Sequence, residues 1–205
     1  SLQDSGAFSS LAFVGGTALR FLYGLRRFSE DLDFSLVERE ESYNLERFTR
    51  KVMRDLERSG YVIDARVSTV RTVQTASVKL PGILRDAGLT NDARKKLTIR
   101  IDVDTRPPTG ATTEQRLVTH HFPIAFRAYD LPSSMAGKLH ALLSRGHTKG
   151  RDVYDLAWFL TQSPPKLGGQ LHAKPLQLNL EFLCNALLQT RWSGAMPTAA
   201  TWRSI

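Results

Sequence analysis

A single cysteine, Cys184, is all the thiol chemistry that this 205-residue chain holds. It has no intrachain partner, which excludes a disulfide framework, and its place in the apolar stretch "EFLCNALL" marks a small buried hydrophobe. The chain also lacks an apolar run of about 18 residues, so the sequence offers no membrane-spanning helix. Its first residues, "SLQDSGAFSS", have neither the basic start nor the apolar centre of a secretory signal, and a cytoplasmic protein without a membrane partner is expected. No repeat and no low-complexity tract is present, which excludes a solenoid. The histidine pair His120 and His121 does not suggest zinc, because adjacent strand residues face opposite ways and the one cysteine is remote.

What the chain does have is apolar material and positive charge. Hydrophobic residues make up 41%, enough for a core of one large domain or a domain with a helical extension. Lys and Arg total 28 against 20 Asp and Glu, and the net charge of +8 points to a polyanionic partner or substrate.

Along the chain, "LAFVGG" reads as a short strand ended by glycines, and "TALRFLYGL" as a short helix. "EDLDFSL" alternates as a half-buried strand does. Leu45, Phe48, Val52 and Leu56 recur at helical spacing from Leu45 to Ser59. "YVIDARVSTV" and "VQTASVKL" fit a hairpin, and "KLTIRIDVDT" a full strand that stops at Pro107 and Pro108. After "AYDLPSS" the pattern turns helical, in "SMAGKLHALLSRG", "RDVYDLAWFLTQ" and a last helix over 175–190, with "RGHTKGRD" and "SPPKLGG" as the breaks.

Two strands carry paired acids. On a strand alternate side chains share a face, so Asp31 and Asp33 point one way, and so do Asp102 and Asp104 in "IRIDVDT". Adjacent carboxylates repel, and if these strands are neighbours the cluster suits divalent cations that take oxygen ligands. Such ions serve the in-line transfer of a phosphoryl group. Ahead of the first pair, Gly15, Gly16 and Thr17 lie between strand and helix, where glycine lets backbone N–H groups approach phosphate. Lys138 and Arg145, seven residues apart, are predicted to share a helix face opposite Leu139, Leu142 and Leu143 and could meet a triphosphate. Arg151 and Asp152 open the next helix, with Asp155 as a surface neighbour of Asp152. His140 and His147 fall near the same cleft.

The ordered set "FVGGTALRFLYGLRRFSEDLDFSL", "VKLPGIL", "LTIRIDVDTRPP" and "DLPSSMAGKLHALLSRGHTKGRDVYDLAWFL" closely resembles the AbiEii/AbiGii toxin-like nucleotidyltransferases, a branch of the DNA polymerase β-like superfamily. The resemblance runs from about Phe13 to Leu160. It implies an α+β fold, a short mixed β-sheet flanked by helices. Residues 1–130 would form the nucleotidyltransferase core, truncated at its N-terminus relative to other members, and 131–205 a helical part closing the nucleotide cleft. It implies Asp31 and Asp33 as catalytic metal ligands, with Asp102 or Asp104 as the acid of the middle strand. Gly15, Gly16, Thr17, Lys138, Arg145 and Arg151 would bind nucleotide, and Asp152 would complete the catalytic set. Lys79 and Lys149 would contact RNA or phosphate.

The activity implied is transfer of a nucleoside monophosphate from an NTP to an acceptor such as the 3′ end of tRNA, with Mg²⁺ or Mn²⁺ as cofactor, by the toxin of a bacterial toxin–antitoxin pair. A cognate antitoxin is the further partner implied. Two alternatives stay open at this stage: transfer to a protein or small-molecule hydroxyl, and a non-catalytic protein of the same fold that holds RNA or an antitoxin.

Overall fold

Strands and helices alternate from the start of the chain. In the computed structural model, which describes residues 2–37, 43–119, 123–161, 166–167, 170–171 and 177–204, α1 (Ala7–Ser10) leads into β1 (Leu11–Val14), α2 (Gly15–Tyr23) and β2 (Leu32–Leu36). Then follow α3 (Leu45–Arg58), β3 (Asp64–Ser68), β4 (Val73–Pro81), α4 (Ile83–Asp86) and β5 (Lys96–Asp104). The chain continues through β6 (Thr113–Val118), β7 (Ile124–Tyr129), α5 (Leu131–Ser144), α6 (Gly150–Thr161), the short pair β8 (Lys166–Leu167) and β9 (Gln170–Leu171), and α7 (Leu180–Gln189).

Seven strands form one mixed sheet in the order β3-β4-β5-β2-β1-β7-β6. The β2–β5 and β1–β7 pairs are parallel and the remaining pairs antiparallel. The expected hairpin of β3 and β4 is present. A second hairpin, β6 with β7, is an addition to the strands read from sequence. "TEQRLV" alternates only weakly and "IAFRAY" is short, so pairing across the sheet decides their state where local pattern does not.

Register assigns each side chain a face. Phe13 pairs with Phe34 and with Ala128, so these share the back face. There Phe13 stacks on Phe34 and Phe126 with ring centroids 5.2 and 5.3 Å apart, and Ile101, Val103 and Ala76 extend the same apolar layer. Helix α3 seals it with Leu45 and Phe48, its amphipathic spacing having the expected result. Each of these large side chains contributes about 1.5–3 kcal/mol by leaving water.

The front face is built differently. Ala12 and Tyr129 pack there with Leu139 of α5 and Phe182, Leu183 and Leu187 of α7, and Tyr129 meets Phe182 edge to face at 5.5 Å. Helix α5 starts earlier than its apolar spacing predicts because Asp130 caps it, accepting from Ser133 N at 2.8 Å, and Pro132 fits the first turn. Helix α7 is shorter than the predicted 175–190, since Asn179 caps it and accepts from Phe182 N at 3.0 Å. Residues 175 and 176 lie outside the described residues, as do His120 and His121. No helix of the described residues is long and apolar enough to cross a membrane.

Candidate active site

Helices α5 and α7 cover the front face over β1 and β7 and leave it open over β2 and β5. At that boundary Asp33 stands directly beside Asp102 on the parallel neighbour, and Ser35 stands beside Asp104. Asp31 precedes β2 by one residue. The register thus brings Asp102 to Asp33 and places Asp104 one step further along, where its Oδ1 accepts from Arg106 N at 2.9 Å. Asp102 is itself oriented: Thr75 Oγ1 donates to its Oδ1 at 2.7 Å, and Arg100 Nε lies 2.9 Å from its Oδ2.

Charge crowding is visible at Asp33. Burial, then the neighbouring charges of Asp102 and Asp31, push its carboxyl above the ordinary value, against the pull of Lys138 and Arg151. A polypeptide keeps such an arrangement at a cost to folding, and a hard cation relieves it.

The glycines ahead of β2 have separate reasons. Gly15 has φ +79°, left-handed backbone that L residues with a side chain avoid, and a Cβ there would run into Asp33 Oδ2. At Gly16 a Cβ would meet the Arg27 guanidinium and, at 2.8 Å, Ser29 Oγ. Thr17, expected at the nucleotide, is 3% exposed and absent from the cleft lining; its hydroxyl donates to Asp31 O at 2.5 Å and lies 2.9 Å from Ser29 Oγ. Its observed contacts brace the loop that carries Asp31.

Across the cleft, α6 supplies two carboxylates that the sequence put on a helix surface. Both are buried, Asp152 at 2% and Asp155 at 0% exposure, because each has a cationic partner. Arg27 grips Asp155 with Nε at 2.5 Å and Nη2 at 2.6 Å, and Lys138 Nζ lies 2.8 Å from Asp155 Oδ2. Burial pushes the Asp155 carboxyl up, but Arg27 and Lys138 outweigh it and hold the group below its ordinary value. Arg145 pairs with Asp152. It is not on the α5 face with Lys138 as spacing predicted: α5 ends at Ser144, and Arg145 is extended backbone, φ −87° and ψ 138°. It reaches Asp152 of α6 from the turn.

These groups line two lobes of one cleft that share Asp33, Asp102, Lys138 and Arg145. A polar lobe of about 640 Å³ adds Gly16, Asp31, Arg100, Lys149, Arg151 and Asp152. The other, about 570 Å³, adds Gly15, Tyr129, His140, Ala141 and Phe182. His140 Nε2 is 3.1 Å from Thr190 Oγ1, and burial lowers its proton affinity. His147 is exposed and lines neither lobe; Lys79 is on the front face of β4, paired with Thr98, and also lines neither. Arg27, Arg100 and Thr75 were not picked out by sequence reading. The only signal for Arg27 is its position in the short loop that joins α2 to the acid strand.

Divalent cations fit the donor set. The acids of the cluster offer oxygen alone, and burial together with the charges of Asp102 and Asp31 raises the Asp33 carboxyl despite Lys138 and Arg151. Among the described residues no group of three or more acids, histidines or cysteines forms a ready cage. Asp33 and Asp102 are a pair of neighbouring carboxylates, the number with which a protein holds Mg²⁺ alongside substrate phosphates.

Two solved structures share this fold. The crystal structure of JHP933 from Helicobacter pylori is 19% identical, with 95% of this chain and 78% of that chain covered and a TM-score of 0.52. A second Helicobacter pylori structure, named "putative nucleotidyltransferase", is also 19% identical, with 95% and 80% covered and a TM-score of 0.52. No curated protein sequence matches. The pattern described as nucleotidyl transferase AbiEii toxin, type IV TA system, matches residues 1–183, and the chain belongs to that nucleotidyltransferase family.

Proposed function

We propose that this protein is a metal-dependent nucleotidyltransferase that moves a nucleoside monophosphate from an NTP to the 3′ hydroxyl of an RNA such as tRNA, acting as the toxin of a pair that includes an antitoxin. The observation that carries this reading is the register of Asp33 beside Asp102, facing the Lys138–Asp155 pair across a cleft.

In the transfer, the acceptor oxygen bonds to the α-phosphorus and the bond from that phosphorus to the bridging oxygen breaks. Pyrophosphate leaves with the electron pair, and the hydroxyl proton goes to Asp102, which Thr75 and Arg100 orient. Asp33 and Asp102, with Asp31 at the edge of the cluster, would hold Mg²⁺ or Mn²⁺ together with substrate phosphates, and the ion would supply Lewis-acid stabilisation of the phosphoryl charge when bound. Lys138 is steadied by Asp155 and Arg145 by Asp152, and the two present their charge to the departing pyrophosphate. Lys149 and Arg151 add charge in the same lobe. The lobe lined by Tyr129, Ala141 and Phe182 has the apolar surface that a nucleoside needs.

Incubation with each α-labelled NTP, Mg²⁺ and total RNA tests this reading. Label should enter the RNA fraction and be lost in Asp33→Ala. Unchanged transfer in that variant, or label found only on protein, would count against it.

A further inference from the structure

We propose that the open front face of β3, β4 and β5 is the track on which the phosphate backbone of the acceptor strand lies, leading its 3′ end to Asp102. The proposal rests on the nucleotidyl-transfer reading above and adds where the acceptor sits. The register lays the face out in rows. Asp33, Asp102, Thr75 and Ser68 form the row at the cleft. The next contains Arg100, Ser77 and Arg66, and the one after it Thr98, Lys79 and Asp64. Successive rows on one face are about 7 Å apart and neighbouring strands about 4.8 Å, so the track begins within one row of the acids.

Its chemistry is that of a phosphate surface. Arg66, Thr98 and Arg100 are exposed, with the Arg100 side chain at 54%. Arg66 and Lys79 have no ion-pair partner among the described residues, and Asp64 is the one acid beyond the cleft row. Arginine, lysine and hydroxyl side chains are the usual donors to phosphate oxygens. Arg100 links track and cleft, since it lines the polar lobe and holds Asp102. Arg66 and Lys79 line neither lobe, so their charge lies outside the cleft that would take the NTP. No aromatic side chain stands in these rows to stack a base, and no large apolar one to anchor a protein. The ligand that fits is therefore a single strand held by its backbone with little regard to sequence.

The test uses the full chain carrying Arg66→Glu and Lys79→Glu together. Binding of a short single-stranded RNA with a free 3′ hydroxyl is followed by fluorescence anisotropy across a salt series, beside binding of a nonhydrolysable NTP. The double variant should bind RNA roughly tenfold or more weakly, and the slope of log affinity against log salt should shrink by about 1.4, two contacts at about 0.7 each. NTP binding and the melting temperature should stay as in the parent. Unchanged RNA affinity and slope would overturn the proposal, as would wild-type protein that binds no RNA or prefers an acidic peptide of equal charge. Loss of RNA binding by the double variant in a protein that proves unable to transfer nucleotide would sustain the track and sink the enzymatic reading. Transfer to a non-RNA acceptor with no RNA bound would sink both the track and the RNA acceptor, leaving nucleotidyl transfer itself standing.

Discussion

Arg27 and Asp155, 128 residues apart in sequence, form a two-point ion pair that ties the loop between α2 and β2 to the first turns of α6. The same carboxylate holds Lys138, so one buried group fixes both walls of the cleft. Removing it leaves Arg27 without its carboxylate and Lys138 with only Asp152, 3.8 Å away. Asp155→Ala is expected to cost about 3–5 kcal/mol, measured by denaturant unfolding. Arg27→Lys keeps the charge but not the planar fork, and should lower transfer more than it lowers stability.

Acid should act on the same pair. Asp155 has a folded-state pKa below its unfolded one, so its contribution is present above the ordinary carboxylate range, near pH 3.9, and is lost as pH falls from there through the depressed value. The stability gap between the parent and Asp155→Asn is expected to narrow steadily on acidification over that window. A gap independent of pH would contradict the assigned ionisation.

Gly15 and Gly16 should both resist substitution, for different reasons. Gly15→Ala forces a side chain into left-handed backbone, a cost of about 1–2 kcal/mol, and displaces the Asp33 carboxylate. Gly16→Ala displaces Arg27 instead. Combining Gly16→Ala with Arg27→Ala is therefore expected to cost less than the sum of the two, whereas Gly15→Ala should be additive with Arg27→Ala.

Crowding of carboxylates at Asp33 carries a folding cost. Asp33→Asn removes one charge from a crowded, partly buried cluster and should stabilise the metal-free protein by about 0.5–2 kcal/mol while abolishing transfer. Mg²⁺ is expected to raise the melting temperature of the parent and to leave that of the variant unchanged.

Much of this was legible in the residues. The period-2 pattern of "EDLDFSL" and "LTIRIDVDT" fixed the faces of the acids, and helical spacing located α3, α5 and α6. Which of Asp102 and Asp104 meets Asp33 was not legible, because it depends on how β5 aligns with β2 across the 59 residues between them, a matter of register rather than of local pattern. Burial of Asp152 and Asp155 was hidden for a related reason. A carboxylate at a helix start looks solvated until the cations that neutralise it are placed, and Arg27 and Lys138 come from distant segments. Strands β6 and β7 were missed because their state is set by pairing with each other and with β1.

The most direct measurement is transfer of α-phosphate label from NTP to RNA by Asp102→Asn and Asp104→Asn, compared with the parent under Mg²⁺. Asp102→Asn should lose transfer by a factor of about 100 or more, as removal of a group acting on the reacting atoms does, and Asp104→Asn should stay within a few-fold. Equal activity in the two variants, or a loss confined to Asp104→Asn, would contradict the site built on Asp33 and Asp102.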